Sequence, residues 1–206
     1  MQASKVDHLR TMHHLYEADD RPSLVEVPPM RFLMVDGHGD PNHAATFREA
    51  VEAVFALSYA IKHRVRSQGA IDYRVMPLEG LWWIPDARVW DFADKSDWDW
   101  TLMIMQPEAV CAEVFEPVRE GLARRRKLPA LDRVHLGSFD EGLSAQILHL
   151  GPWADERPTL ERLYAFVREQ GFLPTGKHHE IYLSDPMRTS PERLRTIVRQ
   201  PVSPRS

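Results

Sequence analysis

The apolar run Arg31-Phe32-Leu33-Met34-Val35 ends abruptly in Asp36-Gly37-His38-Gly39-Asp40-Pro41-Asn42, and beyond it the pattern changes to a helical period. Phe47, Val51, Val54, Phe55, Ser58 and Ile61 fall on one face, which predicts a helix from about Ala44 to about Val65. A buried strand, a turn and an amphipathic helix thus follow one another. After Gly69, Tyr73 to Leu78 reads as a strand, and Trp98 to Met105 as another, stopped by Pro107. The order is strand, helix, strand, strand.

It recurs. A connecting helix from about Glu108 to Arg126 carries Val110, Val114, Val118 and Leu122 on one face, with Pro117 placed to kink or split it. Its closing Arg124-Arg125-Arg126-Lys127 suits the negative end of a helix dipole. Strands at Val134 to Leu136 and Leu143 to Leu150 follow, then a helix from about Pro158 to Gln170 closed by Gly171, then strands at His179 to Leu183 and Arg195 to Val202. The expected fold is α+β. It is a pseudo-twofold duplication of a strand-helix-strand-strand unit, with an antiparallel or mixed sheet, the helices on one face and a ligand groove between the halves. Residues 1–28, punctuated by Pro22, Pro28 and Pro29, read as an N-terminal arm. Residues 29–206 read as the domain, with halves at about 29–107 and 130–206.

Composition narrows the function. A formal charge of -4 offers no basic surface for phosphates, so no nucleic-acid partner is expected. One cysteine, Cys111, excludes an internal disulfide and fits a reducing compartment. The apolar runs are too short to span a bilayer and the N-terminus lacks a signal-peptide core, so no membrane partner and a cytoplasmic location are expected. The chain shows no phosphate loop, nucleophile elbow or dinucleotide fingerprint, and no cofactor is expected.

The chemistry concentrates in Gly176-Lys177-His178-His179-Glu180-Ile181-Tyr182-Leu183-Ser184. Alternation in a strand puts Glu180, Tyr182 and Ser184 on one face and His179, Ile181 and Leu183 on the other. Taking Ile181 and Leu183 as the helix-packed set leaves Glu180 on the opposite face beside Tyr182. There it is a general base, a counter-ion for a cationic ligand, or a solvated strand carboxylate. Adjacent His178-His179-Glu180 lacks the spacing of a helical zinc motif, so no metal is expected. His149 supplies either a donor to the ligand or a structural hydrogen bond.

Five of the six tryptophans, Trp82, Trp83, Trp90, Trp98 and Trp100, lie within about twenty residues, with Phe92 among them. Such density exceeds the needs of one small core. The ligand wall is expected from Trp82, Trp83 and Trp100, with Tyr73 and Glu79 sharing a strand face; the alternative is an aromatic edge packed by the arm.

Together, Val35 to Asn42, Val75-Met76-Pro77-Leu78-Glu79-Gly80-Leu81-Trp82-Trp83, Trp100 to Pro107, Glu141-Gly142 with Gln146, His149 and Gly151-Pro152, and His178 to Pro186 with Arg195 to Val202 resemble the GyrI-like small-molecule-binding family in its stand-alone branch. The resemblance implies a groove in which Glu180 receives aromatic, often cationic ligands. Some stand-alone members are similar to cyclopropanoid cyclopropyl hydrolases, which add water across the strained ring of spirocyclopropane genotoxins and so detoxify them. On that likeness Glu180 activates water, Tyr182 and Tyr73 assist, and Trp82 or Trp83 stacks the substrate, with Glu79, Trp100, His149 and Trp153 as further ligand contacts. Trp153 stands where relatives often have Tyr. The expected function is binding of small aromatic or electrophilic molecules with hydrolysis of cyclopropanoids; the alternative is a non-catalytic multidrug-binding protein. The expected partner is a small aromatic molecule, and the chain a monomer or weak homodimer.

Overall fold

The computed structural model describes residues 3–84 and 95–205. The chain forms two compact units: Met1–His8, Met30–Met76 and Trp82–Phe139 make one, and Leu9–Pro29, Pro77–Leu81 and Asp140–Ser206 the other.

In the first unit the strand Met30–His38 lies between two antiparallel neighbours. Asp99–Gln106 runs in register from Arg31 opposite Gln106 to His38 opposite Asp99, and His135–Phe139 runs from Met30 opposite Phe139 to Met34 opposite His135. Phe32, Leu33 and Val35 are fully buried, as an unbroken apolar strand requires. The helix Ala45–Ser67 buries Ala50, Ala53, Val54, Leu57, Ser58, Ile61 and Val65, a face that shares Val54, Ser58 and Ile61 with the expected one but is turned toward the small residues, leaving Phe47, Val51 and Phe55 half-buried at its margin. The connecting helix is shorter than expected, Ala112–Ala123, and it runs through Pro117 as one helix. Its basic end is paired: Arg125 donates to the Gly121 carbonyl one turn back at 2.9 Å, and Arg126 to Glu52 of the long helix at 2.9 Å.

The expected strand from Tyr73 to Leu78 is not formed. Ile71–Tyr73 is a three-residue strand paired in parallel with Ser4–Val6, and a separate strand begins at Leu78 and runs to Trp83. Pro77, which has no N–H to give a ladder, separates them. Tyr73 and Glu79 therefore share no strand, and the parity argument that paired them fails.

In the second unit, Arg195–Pro204 pairs antiparallel with both Gly142–Leu150 and His178–Tyr182. The stretch read as an arm contributes its own strand, Ser23–Val27, against Gly142–Leu150. Val25 and Val27 are buried and alternate with exposed residues, a period-2 signal overlooked beside the prolines. The helix Arg157–Glu169 carries Leu160, Leu163 and Val167 onto Ala145, Ile147, Val198 and Val202. These seven buried side chains form one core cluster, and burial is worth about 1.5–3 kcal/mol for each large one. Among the described residues no helix is long and apolar enough to cross a membrane.

Candidate functional site

The register corrects the faces assigned to the His178–Tyr182 strand. Glu180 lies opposite Val198, and directly opposed residues of an antiparallel pair project to the same side. Val198 is in the core under the helix Arg157–Glu169. His178, Glu180 and Tyr182 therefore share the helix-packed face, and His179 and Ile181 take the other. Both faces are buried, so apolar content could not tell them apart: His178 is 2%, His179 1% and Ile181 0% exposed.

Each histidine anchors a different set of charges. On the face away from the helix, His179 lies between two carboxylates, with Nδ1 2.9 Å from Glu141 Oε1 and Nε2 3.1 Å from Glu79 Oε2. Arg199, also buried, donates to Glu141 Oε2 at 3.2 Å and to Gln146 Oε1, and caps the Leu15 carbonyl. The Tyr16 hydroxyl donates to Glu79 at 2.9 Å. Burial alone would pull the His179 imidazole down, but the Glu141 charge and hydrogen bond, with Glu79 behind them, raise it to about 9. Burial pushes the Glu141 carboxyl up, and His179 and then Arg199 outweigh that and hold it below its ordinary value. Two cations face two carboxylates in a buried site, and the set pins residues of the N-terminal stretch to the sheet. Glu79 is 0% exposed with both oxygens engaged, which makes it part of this lattice.

On the helix face, Glu156, His178 and Glu180 come together. One ligating atom from each lies within 4.8 Å of the other two, and all three residues are buried. His178 Nε2 is 3.3 Å from Glu180 Oε1, and the Tyr182 hydroxyl donates to Glu180 Oε2 at 2.7 Å. Glu156 is the residue before the helix Arg157–Glu169, and its carbonyl receives the Thr159 and Leu160 amides. The Glu180 side chain keeps 12% of its surface exposed, so the carboxylate is sheltered yet reachable.

Trp153 is 40% exposed and stands edge-on to Tyr182, centroids 5.5 Å apart, while its indole N–H donates to Thr196 at 3.0 Å. His149 sits on this face too, within hydrogen-bonding distance of the Thr159 hydroxyl at 3.0 Å and the Pro152 carbonyl at 3.1 Å, the structural alternative for that residue. Of the expected site residues, Glu180, Tyr182, Trp153 and His149 thus gather in the second unit. The members that sequence reading missed are His178 and Glu156. His178 was legible from its parity with Glu180; Glu156 has no sequence signal, because only the fold brings it to the strand.

The other expected residues belong to the first unit. Trp100 is fully buried over Gly37, where an added Cβ would lie 2.1 Å from its ring. Phe47 packs edge-on to Trp100 and stacks on Trp82, which meets Trp98. The aromatic cluster is core built on the long helix, not an edge covered by the arm. Tyr73 is 2% exposed, and its hydroxyl donates to Gln106 at 3.3 Å. Burial pushes its phenol far above the ordinary value. Trp83 lines a cavity of about 480 Å³ with Asp36, His38, Asp99 and Arg133 among its walls. His38 pairs with Asp99 there at 2.7 Å, but its side chain is 62% exposed, so that pair lacks the desolvation the Glu180 group has. Trp90 and Phe92 lie outside the described residues.

Residues 21–203 match the family described as the GyrI-like small molecule binding domain, and the chain belongs to that family. It is similar to an uncharacterized conserved protein from Listeria innocua at 39% identity, with a TM-score of 0.89 over 96% of this chain and 100% of that one. Two proteins described as hydrolases from the same organism are each 37% identical. They give TM-scores of 0.83 and 0.86 over 96% and 97% of this chain and the whole of theirs. No curated protein matches at a significant level.

Proposed function

We propose that the chain binds a small aromatic organic molecule beside Trp153 and Tyr182 and hydrolyses it, the substrate being a cyclopropanoid electrophile. The observation that carries this reading is Glu180: buried yet still reachable, with one oxygen held by Tyr182 at 2.7 Å and the other facing His178. A carboxylate held in place in this way and largely sheltered from bulk water is positioned to accept a water proton. As Glu180 takes that proton, the water oxygen bonds to the ring methylene. The strained C–C bond breaks, and its electron pair passes into the conjugated dienone. The carbonyl oxygen, now a phenolate, takes a proton from solvent and stays in the product as a phenol, and Glu180 returns its proton to solvent. Tyr182 orients the carboxylate, and Trp153 presents a flat face to an aromatic substrate. The similarity to two proteins described as hydrolases supports a hydrolytic reaction.

Incubating the protein with a spirocyclopropane dienone and weighing the product tests this. The expected result is a ring-opened adduct heavier by one water, lost in Glu180→Gln; unchanged turnover in that variant sinks the assigned role. The family description as a binding domain favours a second reading, sequestration without turnover. Under it the compound quenches tryptophan fluorescence and is recovered unchanged.

A further inference from the structure

A strand and a helix start bring three metal-ligating side chains together. His178 and Glu180, two residues apart on the strand His178–Tyr182, share its helix-packed face through the strand's period of 2. Glu156, the residue before the helix Arg157–Glu169, supplies the third group, and one ligating atom of each lies within 4.8 Å of the other two. The spacing that spoke against a metal was that of a helical zinc motif, and a set assembled from two separate elements has no such spacing. All three residues are buried, and all belong to one compact unit.

Donor chemistry and distance both suit zinc. Imidazole nitrogen and carboxylate oxygen are zinc ligands, and three protein ligands with one position left over make an open zinc site. Ligands about 2.0–2.1 Å from a tetrahedral ion stand about 3.3–3.4 Å apart. His178 Nε2 and Glu180 Oε1 are 3.3 Å apart, so this pair already spans one edge of such a site. The third ligand closes by turning the side-chain torsions of Glu156, whose own carbonyl is fixed by the Thr159 and Leu160 amides. Metal-binding carboxylates are held by outer hydrogen bonds, and the Tyr182 hydroxyl donates to the other oxygen of Glu180, Oε2, at 2.7 Å. His149, on the same face, turns its two ring nitrogens to the Thr159 hydroxyl and the Pro152 carbonyl.

We propose that Glu156, His178 and Glu180 form a site for a divalent transition metal of the zinc type, and that loading it withdraws Glu180 from water. The second part rests on the reading that Glu180 accepts a proton from water; the binding of metal does not. An ion on Oε1 takes the lone pair which that step uses, while Tyr182 keeps Oε2. Metal binding and water activation therefore exclude one another at this carboxylate.

The test uses the untagged full chain, stripped with a chelator, dialysed, and titrated with zinc(II) by calorimetry and with cobalt(II) by visible absorption. The expected result is one tightly bound equivalent of zinc and a cobalt spectrum with the intense bands of four-coordinate nitrogen and oxygen ligation. Glu156→Gln keeps the size of the side chain and the backbone bonds of residue 156. It should weaken zinc by about 100-fold or more, since losing an outer partner of a ligand already costs about 10–100-fold. His178→Gln should do the same and serves if the first variant folds poorly; the cobalt spectrum of the parent needs no variant. Zinc binding that survives both substitutions belongs to exposed histidines such as His13 and His14 and overturns the site. The weak spectrum of six-coordinate cobalt, or no binding at all, overturns it too. At full zinc occupancy, turnover of the spirocyclopropane dienone should fall by about 100-fold, the low end of what a positioned base supplies, and return on chelation. Turnover unchanged or raised by bound zinc overturns the withdrawal of Glu180. Zinc binding without any metal-free turnover keeps the metal site and removes the hydrolase reading; turnover without zinc binding does the reverse.

Discussion

Replacing His179 by glutamine should remove a pH-dependent part of the stability. In the folded chain the imidazole is raised to about 9, against an ordinary value of 6.5, by Glu141 and Glu79 acting against burial. A group whose folded value is raised stabilises fully below its unfolded value, and that contribution is lost as pH rises through the folded one. The relevant window is therefore about pH 6.5 to 9, with the full effect at pH 6. At 1.36 kcal/mol per unit, the difference amounts to about 3 kcal/mol. Removing one partner of a buried ion pair costs on the order of 3–5 kcal/mol, so the variant should be destabilised by about that much at pH 6. Above pH 9 the gap between the two proteins should narrow by about 3 kcal/mol, because the parent has by then lost the proton as well. Urea unfolding followed by tryptophan fluorescence at pH 6 and pH 9.5 measures both gaps, and taking the difference between proteins cancels the other titrating groups. A gap that stays constant across the two pH values would refute the assignment of His179 as a protonated link between Glu79 and Glu141.

Three further outcomes are expected. Tyr182→Phe removes one hydrogen bond to a charged acceptor, worth about 1.5–3 kcal/mol, so the melting midpoint should drop by several degrees and turnover or ligand affinity by about tenfold or more, read by a thermal melt beside kinetics or titration. Gly37→Ala drives a methyl to 2.1 Å from the Trp100 ring and should cost at least about 1–3 kcal/mol, seen as a lowered melting midpoint and a changed tryptophan spectrum. Leu163→Ala, at a fully buried position on the helix Arg157–Glu169, should destabilise by about 2–5 kcal/mol in urea unfolding without altering the chemistry of Glu180.

Local pattern and tertiary contact contributed differently to this protein. The long helix was legible because its burial follows one period over many turns, and Ala45–Ser67 appears where the spacing placed it. The strand around Tyr73 was not, because Pro77 splits the segment and residues 71–73 are held by a distant partner, Ser4–Val6. Alternation along His178–Tyr182 correctly told which side chains travel together, since a strand has period 2 whatever surrounds it. It could not say which of the two sets meets the helix, because that strand is buried on both sides and carries polar groups on each. Only the register against Arg195–Pro204 decided that, by setting Glu180 opposite Val198. The same register left His179 to Glu79, Glu141 and Arg199, residues from distant parts of the chain whose attraction becomes strong once water is excluded. Sequence alone determined that Glu180 and Tyr182 would stand together; folding supplied their burial, with Glu156 brought to them at the start of the helix Arg157–Glu169, and with it an environment unlike that of a surface charge.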